Sequence, residues 1–166
     1  MIKRRLSGAL LLIAALSVIV PIVVQTTAGG THYYDLKPTN FAHYNDPNLT
    51  WSVSESTAVC TAGPWVWGKG QAKVGITFGS GHGGHQYRFR VNYGVCNCIG
   101  WQADLHWYKG DGTYICTHGW TKTGDIDVYG TIPADAERVK IELDCTFMNT
   151  FWTTQFQYYW VKLNIN

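Results

Sequence analysis

Polar and apolar residues alternate with a period of two through the second half of the chain. Tyr87, Phe89, Val91 and Tyr93 alternate with Arg88, Arg90 and Asn92. Trp101, Ala103, Leu105 and Trp107 alternate with Gln102, Asp104, His106 and Tyr108. Val139, Ile141, Leu143, Cys145 and Phe147 alternate with Lys140, Glu142, Asp144 and Thr146. Successive side chains of a strand point to opposite faces, so each run predicts a strand with one face in a core. Further strands are predicted within Trp51–Cys60, Gln71–Phe78 and Gln155–Ile165. Turn chemistry separates them: Gly63-Pro64, the Gly-rich loop from Gly79 to Gly84, Lys109-Gly110-Asp111-Gly112, and Ile132-Pro133-Ala134-Asp135. Asp-Gly is a hairpin signal. No long helical periodicity and no internal repeat is visible. The pattern predicts an all-β antiparallel β-sandwich.

The N-terminus follows another rule. Lys3, Arg4 and Arg5 precede an uncharged apolar run from Leu6 to Val24, and Thr26-Thr27-Ala28 supply small residues for a peptidase. Positive, apolar, then small is the order of a secretory signal peptide, read here as residues 1–28. An uncleaved membrane anchor is the rival, because a span needs about 20 residues. Pro21 and the Thr-Thr-Ala step favour cleavage, with Gly29 as the new N-terminus. Arg4-Arg5 raises the twin-arginine route, but the residues after it fit that motif poorly. Residues 29–48 read as an N-terminal arm or first strand, and residues 49–166 as the sandwich domain.

Cleavage changes the charge. It removes Lys3, Arg4 and Arg5 from the 13 basic residues, against 11 acidic ones, so the net charge moves from +2 to −1. No basic stripe remains, which argues against nucleic acid as a partner. Membrane contact is expected to end with the signal. The 8 Trp, 10 Tyr and 6 Phe all lie in the exported part and exclude disorder.

Cys60, Cys96, Cys98, Cys116 and Cys145 are disulfide candidates in an exported chain, with one left over. Cys145 is in phase with core residues, which favours Cys116–Cys145, with Cys60 bonded to Cys96 or Cys98. Cys96-x-Cys98 lacks the two-residue gap of a zinc knuckle, and His82 with His85 supplies too few ligands, so no metal and no cofactor is expected.

From Gly84 to Asn166 the order of features resembles the jelly-roll carbohydrate-binding modules of the galactose-binding-like fold, the type appended to secreted glucanases and xylanases. The residues that carry the resemblance are His85-Gln86-Tyr87-Arg88-Phe89-Arg90-Val91, then Ala103-Asp104-Leu105-His106-Trp107-Tyr108 running into Gly110-Asp111-Gly112. Gly130-Thr131-Ile132-Pro133-Ala134-Asp135-Ala136-Glu137-Arg138-Val139-Lys140-Ile141 and the closing Trp160-Val161-Lys162-Leu163 complete it. The resemblance implies a jelly-roll sandwich and a non-catalytic sugar-binding role. Two features depart from the family. Gln157-Tyr158-Tyr159-Trp160 lacks the acidic pair that commonly helps hold a structural calcium, so the calcium is not carried over. The family's opening strand has only a loose match at Asn48-Leu49-Thr50-Trp51.

If Tyr159, Val161, Leu163 and Ile165 face the core, then Phe156, Tyr158 and Trp160 face outward, and a row of exposed rings is either covered or used. Sugar rings stack their C–H faces on aromatics, and their hydroxyls need planar polar partners. Arg88, Arg90, Asn92, Gln102, Asp104, His106 and Tyr108 supply those partners, and the reading makes one face of them and the three rings. A one-residue slip exchanges the faces. Trp65 and Trp67 are further candidates, although loop tryptophans more often plug a sandwich end. No nucleophile–base motif is present. Asp104 with Glu142 has the residue types of a glycosidase pair, but these, like Asp125 and Asp127, also fit ordinary polar faces. Asn48-Leu49-Thr50 is a glycosylation sequon. The reading is a secreted, non-catalytic carbohydrate-binding module. The alternative is a structural or adhesive surface protein that self-assembles through the arm Thr31-His32-Tyr33-Tyr34, and a small glycoside-active enzyme comes third.

Overall fold

The computed structural model describes residues 31–121, 124–148 and 151–166. The signal assigned to residues 1–28 lies outside them. Among the described residues eleven strands form two antiparallel sheets. They are β1 (His32–Leu36), β2 (Ala42–Asn45), β3 (Leu49–Val53), β4 (Ala58–Ala62), β5 (Gly68–Thr77) and β6 (Gln86–Cys96). β7 (Gly100–Tyr108), β8 (Tyr114–Trp120), β9 (Ile126–Thr131), β10 (Arg138–Phe147) and β11 (Thr154–Ile165) follow. The six-stranded sheet runs β3-β4-β11-β6-β9, with β1 also on β11. The five-stranded sheet runs β2-β5-β10-β7-β8. Among the described residues no helix is long and apolar enough to cross a membrane.

The alternation in β6, β7 and β10 places the core where the sequence predicts it. Tyr87, Phe89 and Val91 of one sheet and Trp107, Leu105, Ile141 and Leu143 of the other are all buried. Residues 32–45 contribute a strand to each sheet. β1 pairs with β11 from His32↔Ile165 to Leu36↔Val161, and β2 pairs with β5.

The terminal strand departs from simple alternation. Its C-terminal half buries Val161, Leu163 and Ile165, as expected. Its N-terminal half buries Phe156 and Tyr158, which were expected outside. The register with β6 shows the cause: Tyr158 opposes Tyr93, yet Trp160 opposes the adjacent Asn92. Tyr159 is therefore an extra residue, a β-bulge, and inserting one residue exchanges the faces of a strand. β11 also changes partner there, from β4 at residues 154–158 to β1 at residues 161–165. Gly94 leaves room for the Tyr159 ring, since a Cβ on it would lie 2.6 Å from the Tyr159 hydroxyl.

The register rules out two of the expected cysteine pairings, Cys116–Cys145 and Cys60–Cys96. Cys116 opposes Trp107, which opposes Val139 on β10. Val139 and Cys145 are six residues apart on that strand, or about 20 Å, and a disulfide needs Cα atoms within about 7 Å. Cys60 and Cys96 lie on either side of β11, both opposite Phe156, so two strand spacings of about 4.8 Å separate them. Cys98 lies against Cys96 instead, with 2.8 Å between the sulfurs.

Candidate functional site

The residues expected to share one binding face fall in three places. Arg88, Arg90 and Trp160 lie on the outer face of the six-stranded sheet. Gln102, Asp104, His106 and Tyr108 lie on the outer face of the five-stranded sheet, on the opposite side of the molecule. Phe156 and Tyr158 are between the sheets. Adjacency could not be read from strand faces alone, because β6 and β11 belong to one sheet and β7 to the other.

On the six-stranded sheet Arg88 is already engaged, while Arg90 Nε is buried without a hydrogen-bond partner. Arg88 donates two hydrogen bonds to Asp127, at 2.8 and 2.6 Å, and its guanidinium sits 5.1 Å from the Tyr129 ring centre. Lys162 covers the Trp160 ring at 4.8 Å. This leaves Trp160 half-buried rather than presented as a stacking platform.

On the five-stranded sheet the registers build a charged row. Lys73, Glu142 and Asp104 lie side by side across β5, β10 and β7, with Gln71, Asp144 and Gln102 in the next row. Gln71 donates to Glu142 at 2.9 Å and to Asp144 at 2.7 Å. Gln102 donates to both oxygens of Asp104, at 2.7 and 2.9 Å. Lys140 and Lys73 reach Glu142 at 2.8 and 3.2 Å. Burial opposes the Glu142 charge, but the two lysines outweigh it and hold the carboxyl below its ordinary value. Burial, and then Lys140, lowers His106, whose Nδ1 lies 2.7 Å from the Thr117 hydroxyl. Tyr108 and Tyr114 pack edge to face at 5.8 Å, and Tyr108 with Gly75, Gly112 and Lys140 lines a depression of about 290 Å³. The carboxylates here have lysines and amides as partners, which suits a structural charge network. A general acid needs its pKa raised toward working pH, and Glu142 is shifted the other way.

The end of the sandwich where β4 and β10 finish carries four of the exposed rings, while Tyr114 and Tyr129 are exposed elsewhere. Ala62 at the end of β4 pairs with Thr154 of β11, and Gly68 at the start of β5 pairs with Phe147 of β10. These pairings set residues 63–67 beside residues 148 and 151–153. Trp65, Trp67, Phe151 and Trp152 occupy the two loops, exposed to 58%, 61%, 73% and 64%. Trp65 and Phe151 meet edge to face at 4.4 Å. Trp65 has a φ of 64°, a left-handed conformation that costs a non-glycine residue about 1 kcal/mol or more.

Trp65 and Trp67 were visible as candidates in the sequence, and the expectation that they plug the sandwich does not hold. Phe151 and Trp152 were missed. The available signal was a pair of adjacent aromatics in a Thr-rich stretch that breaks strand alternation. Elsewhere, His32 and His82 approach at 3.1 Å between Nε2 atoms. Among the described residues no group of three or more His, Cys, Asp or Glu could hold a metal ion.

No protein-family model matches the chain, and no curated protein matches it in sequence. Solved structures do match. The Gap123 glycosylation-associated protein complex from Streptococcus agalactiae aligns with a TM-score of 0.56 and 10% identity, over 80% of this chain and 44% of that one. The enzymatically active domain of tailspike protein 4 of bacteriophage CBA120 aligns with a TM-score of 0.51 and 10% identity, over 80% of this chain and 19% of that one. Carbohydrate-binding modules are also among the similar structures. One is TmCBM61 in complex with β-1,4-galactotriose, with a TM-score of 0.43 and 10% identity over 76% of this chain and 89% of that one. The chain spans less than half the length of the first two structures, and the likeness to them shows the β-sandwich fold.

Proposed function

We propose that this chain is a secreted, non-catalytic carbohydrate-binding module whose stacking platform is the ring cluster Trp65, Trp67, Phe151 and Trp152. One observation carries the reading: four large aromatic side chains, each more than half exposed, are gathered on two adjacent loops. Exposed apolar surface of this kind marks an interaction site. Flat rings held apart from the core offer sugar C–H faces a surface to stack on, and the protein loses no packing when they do. Apolar area removed from water is worth about 25 cal/mol per Å², so one well-covered ring supplies roughly 1.5–3 kcal/mol. That is a large part of the roughly 4–8 kcal/mol behind a millimolar-to-micromolar affinity.

The charged face of the five-stranded sheet supports an accessory role at most in this reading, because Glu142 and Asp144 are paired with lysines and Asp104 is held by Gln102. Assembly through the N-terminal arm has less support, since β1 is already paired along its length with β11. The test is affinity electrophoresis of the exported protein in gels containing soluble β-glucans, xylans and galactans. Retardation by at least one polysaccharide, lost in Trp65→Ala/Phe151→Ala, is the expected result. Retardation that survives in the double variant would move the site away from the loops.

A further inference from the structure

The fold gathers four of the five cysteines into two pairs, neither of which is the pairing suggested by strand phase. Cys60 on β4 and Cys145 on β10 are both buried, and they face each other from opposite sheets. Gly70 at the start of β5 lies against both. A Cβ on it would sit 2.6 Å from the Cys60 sulfur and 2.9 Å from the Cys145 sulfur, so the two sulfurs flank one point that only glycine leaves open. The Cys145 sulfur is also 3.5 Å from the Gly70 carbonyl oxygen. The second pair is Cys96 and Cys98, with 2.8 Å between sulfurs, beside a surface pocket lined by Tyr93, Ile99 and Trp101. Cys116 lies apart from both pairs, with His118 Nε2 3.9 Å from its sulfur.

We propose that the exported protein carries two disulfides, Cys60–Cys145 and Cys96–Cys98, and that Cys116 is its unpaired thiol. Each bond forms by exchange with an external disulfide, either a small-molecule disulfide or an oxidised thiol–disulfide oxidoreductase. One cysteine thiolate attacks the external S–S bond and releases the first thiolate. The second cysteine then displaces the other, and the two protons and two electrons leave with two reduced thiols. The pairs differ in when this can happen. In the folded chain the hydrogen bond from Cys98 lowers Cys96 to about 7, so a half-exposed thiolate is available there. Burial and the neighbouring Cys60 push Cys145 up, so neither thiolate nor oxidant is available inside the closed sandwich. The Cys60–Cys145 bond therefore forms before the sheets close. It joins two sheets that share no backbone ladder, and it does so at the roots of the loops that carry the rings, since β4 ends at Ala62 and β10 at Phe147. Only that placement relative to the rings depends on the sugar-binding reading. The bonds themselves do not.

The test is peptide mapping by mass spectrometry of the full chain exported into an oxidising compartment, denatured in an alkylating agent without reductant. The expected map links the Cys60 peptide to the Cys145 peptide. It also shows Cys96 and Cys98 joined and unalkylated, and alkylation at Cys116 alone. Alkylated Cys60 or Cys145, or either of them joined to Cys96, Cys98 or Cys116, would overturn the assignment. The map reads sulfur directly, so it stands whether or not the protein binds a polysaccharide.

Discussion

Two groups of aromatic rings sit near the same end of this sandwich, and their surroundings give them opposite uses. Phe156, Tyr158 and Trp101 lie between the sheets, with Phe156 and Trp101 centred 5.7 Å apart and Phe156 and Tyr158 6.2 Å apart. Trp65, Trp67, Phe151 and Trp152 stand on the loops just beyond them, largely in water. The residue types are the same, and backbone context separates them. The first group sits on strands whose faces are fixed by ladders, on both sides for Phe156 and Tyr158 and on one side for Trp101, so its rings stabilise the fold. The second sits on loops free of ladder constraints, where exposed apolar area is stable only if something else justifies it. Aromatic content alone therefore predicted neither the core nor the site.

The largest expected effect lies in the buried group. Tyr158→Ala should cost about 3–5 kcal/mol, as for other large-to-small changes at full burial, and should lower the denaturant midpoint sharply. A loss below about 1 kcal/mol would mean that the ring does not occupy the core. Tyr158 also tests the hydrogen bond beneath it. Burial keeps its hydroxyl protonated, and it lies 2.8 Å from His43 Nε2.

His43 gives the next effect, read against pH. Burial lowers it to about 4, while the unfolded chain titrates near 6.5. A histidine depressed in the folded state binds its proton more readily when unfolded. Its contribution is therefore complete above about pH 6.5 and is lost as pH falls toward 4. His82, His106 and His118 are lowered by burial in the same sense. Thermal melts between pH 7 and pH 4 should show falling stability, with a shallower fall in His43→Gln. Parallel curves for the two proteins would remove His43 from the account.

How much of this was legible in the sequence depends on the strand. β6, β7 and β10 alternate without interruption over the residues that form the core, so period two gave their faces correctly. β11 carries a bulge at Tyr159, and a pattern of consecutive aromatics from Phe156 to Trp160 does not show where an extra residue enters. The division of strands between sheets was equally hidden, because Arg88 and Asp104 look alike as polar alternates. That is why two opposite faces were read as one. The loop rings could be named but not placed, since exposure depends on which loops the ladders bring together.

Trp160 gives the smallest effect. It lies under Lys162 on the six-stranded sheet, so Trp160→Ala should change stability by no more than about 1 kcal/mol and leave any polysaccharide binding intact. Loss of binding in this variant would return the site to the outer sheet face.

The most direct test of the central claim is a paired measurement on Trp65→Ala/Phe151→Ala. Its affinity for whichever polysaccharide retards the wild-type protein and its chemical denaturation are read together. The predicted result is an affinity loss of at least about tenfold, equivalent to 1.4 kcal/mol, with a denaturation midpoint close to that of the wild type. A double variant that binds as the wild type does would contradict the account. So would one that loses binding only because it has unfolded.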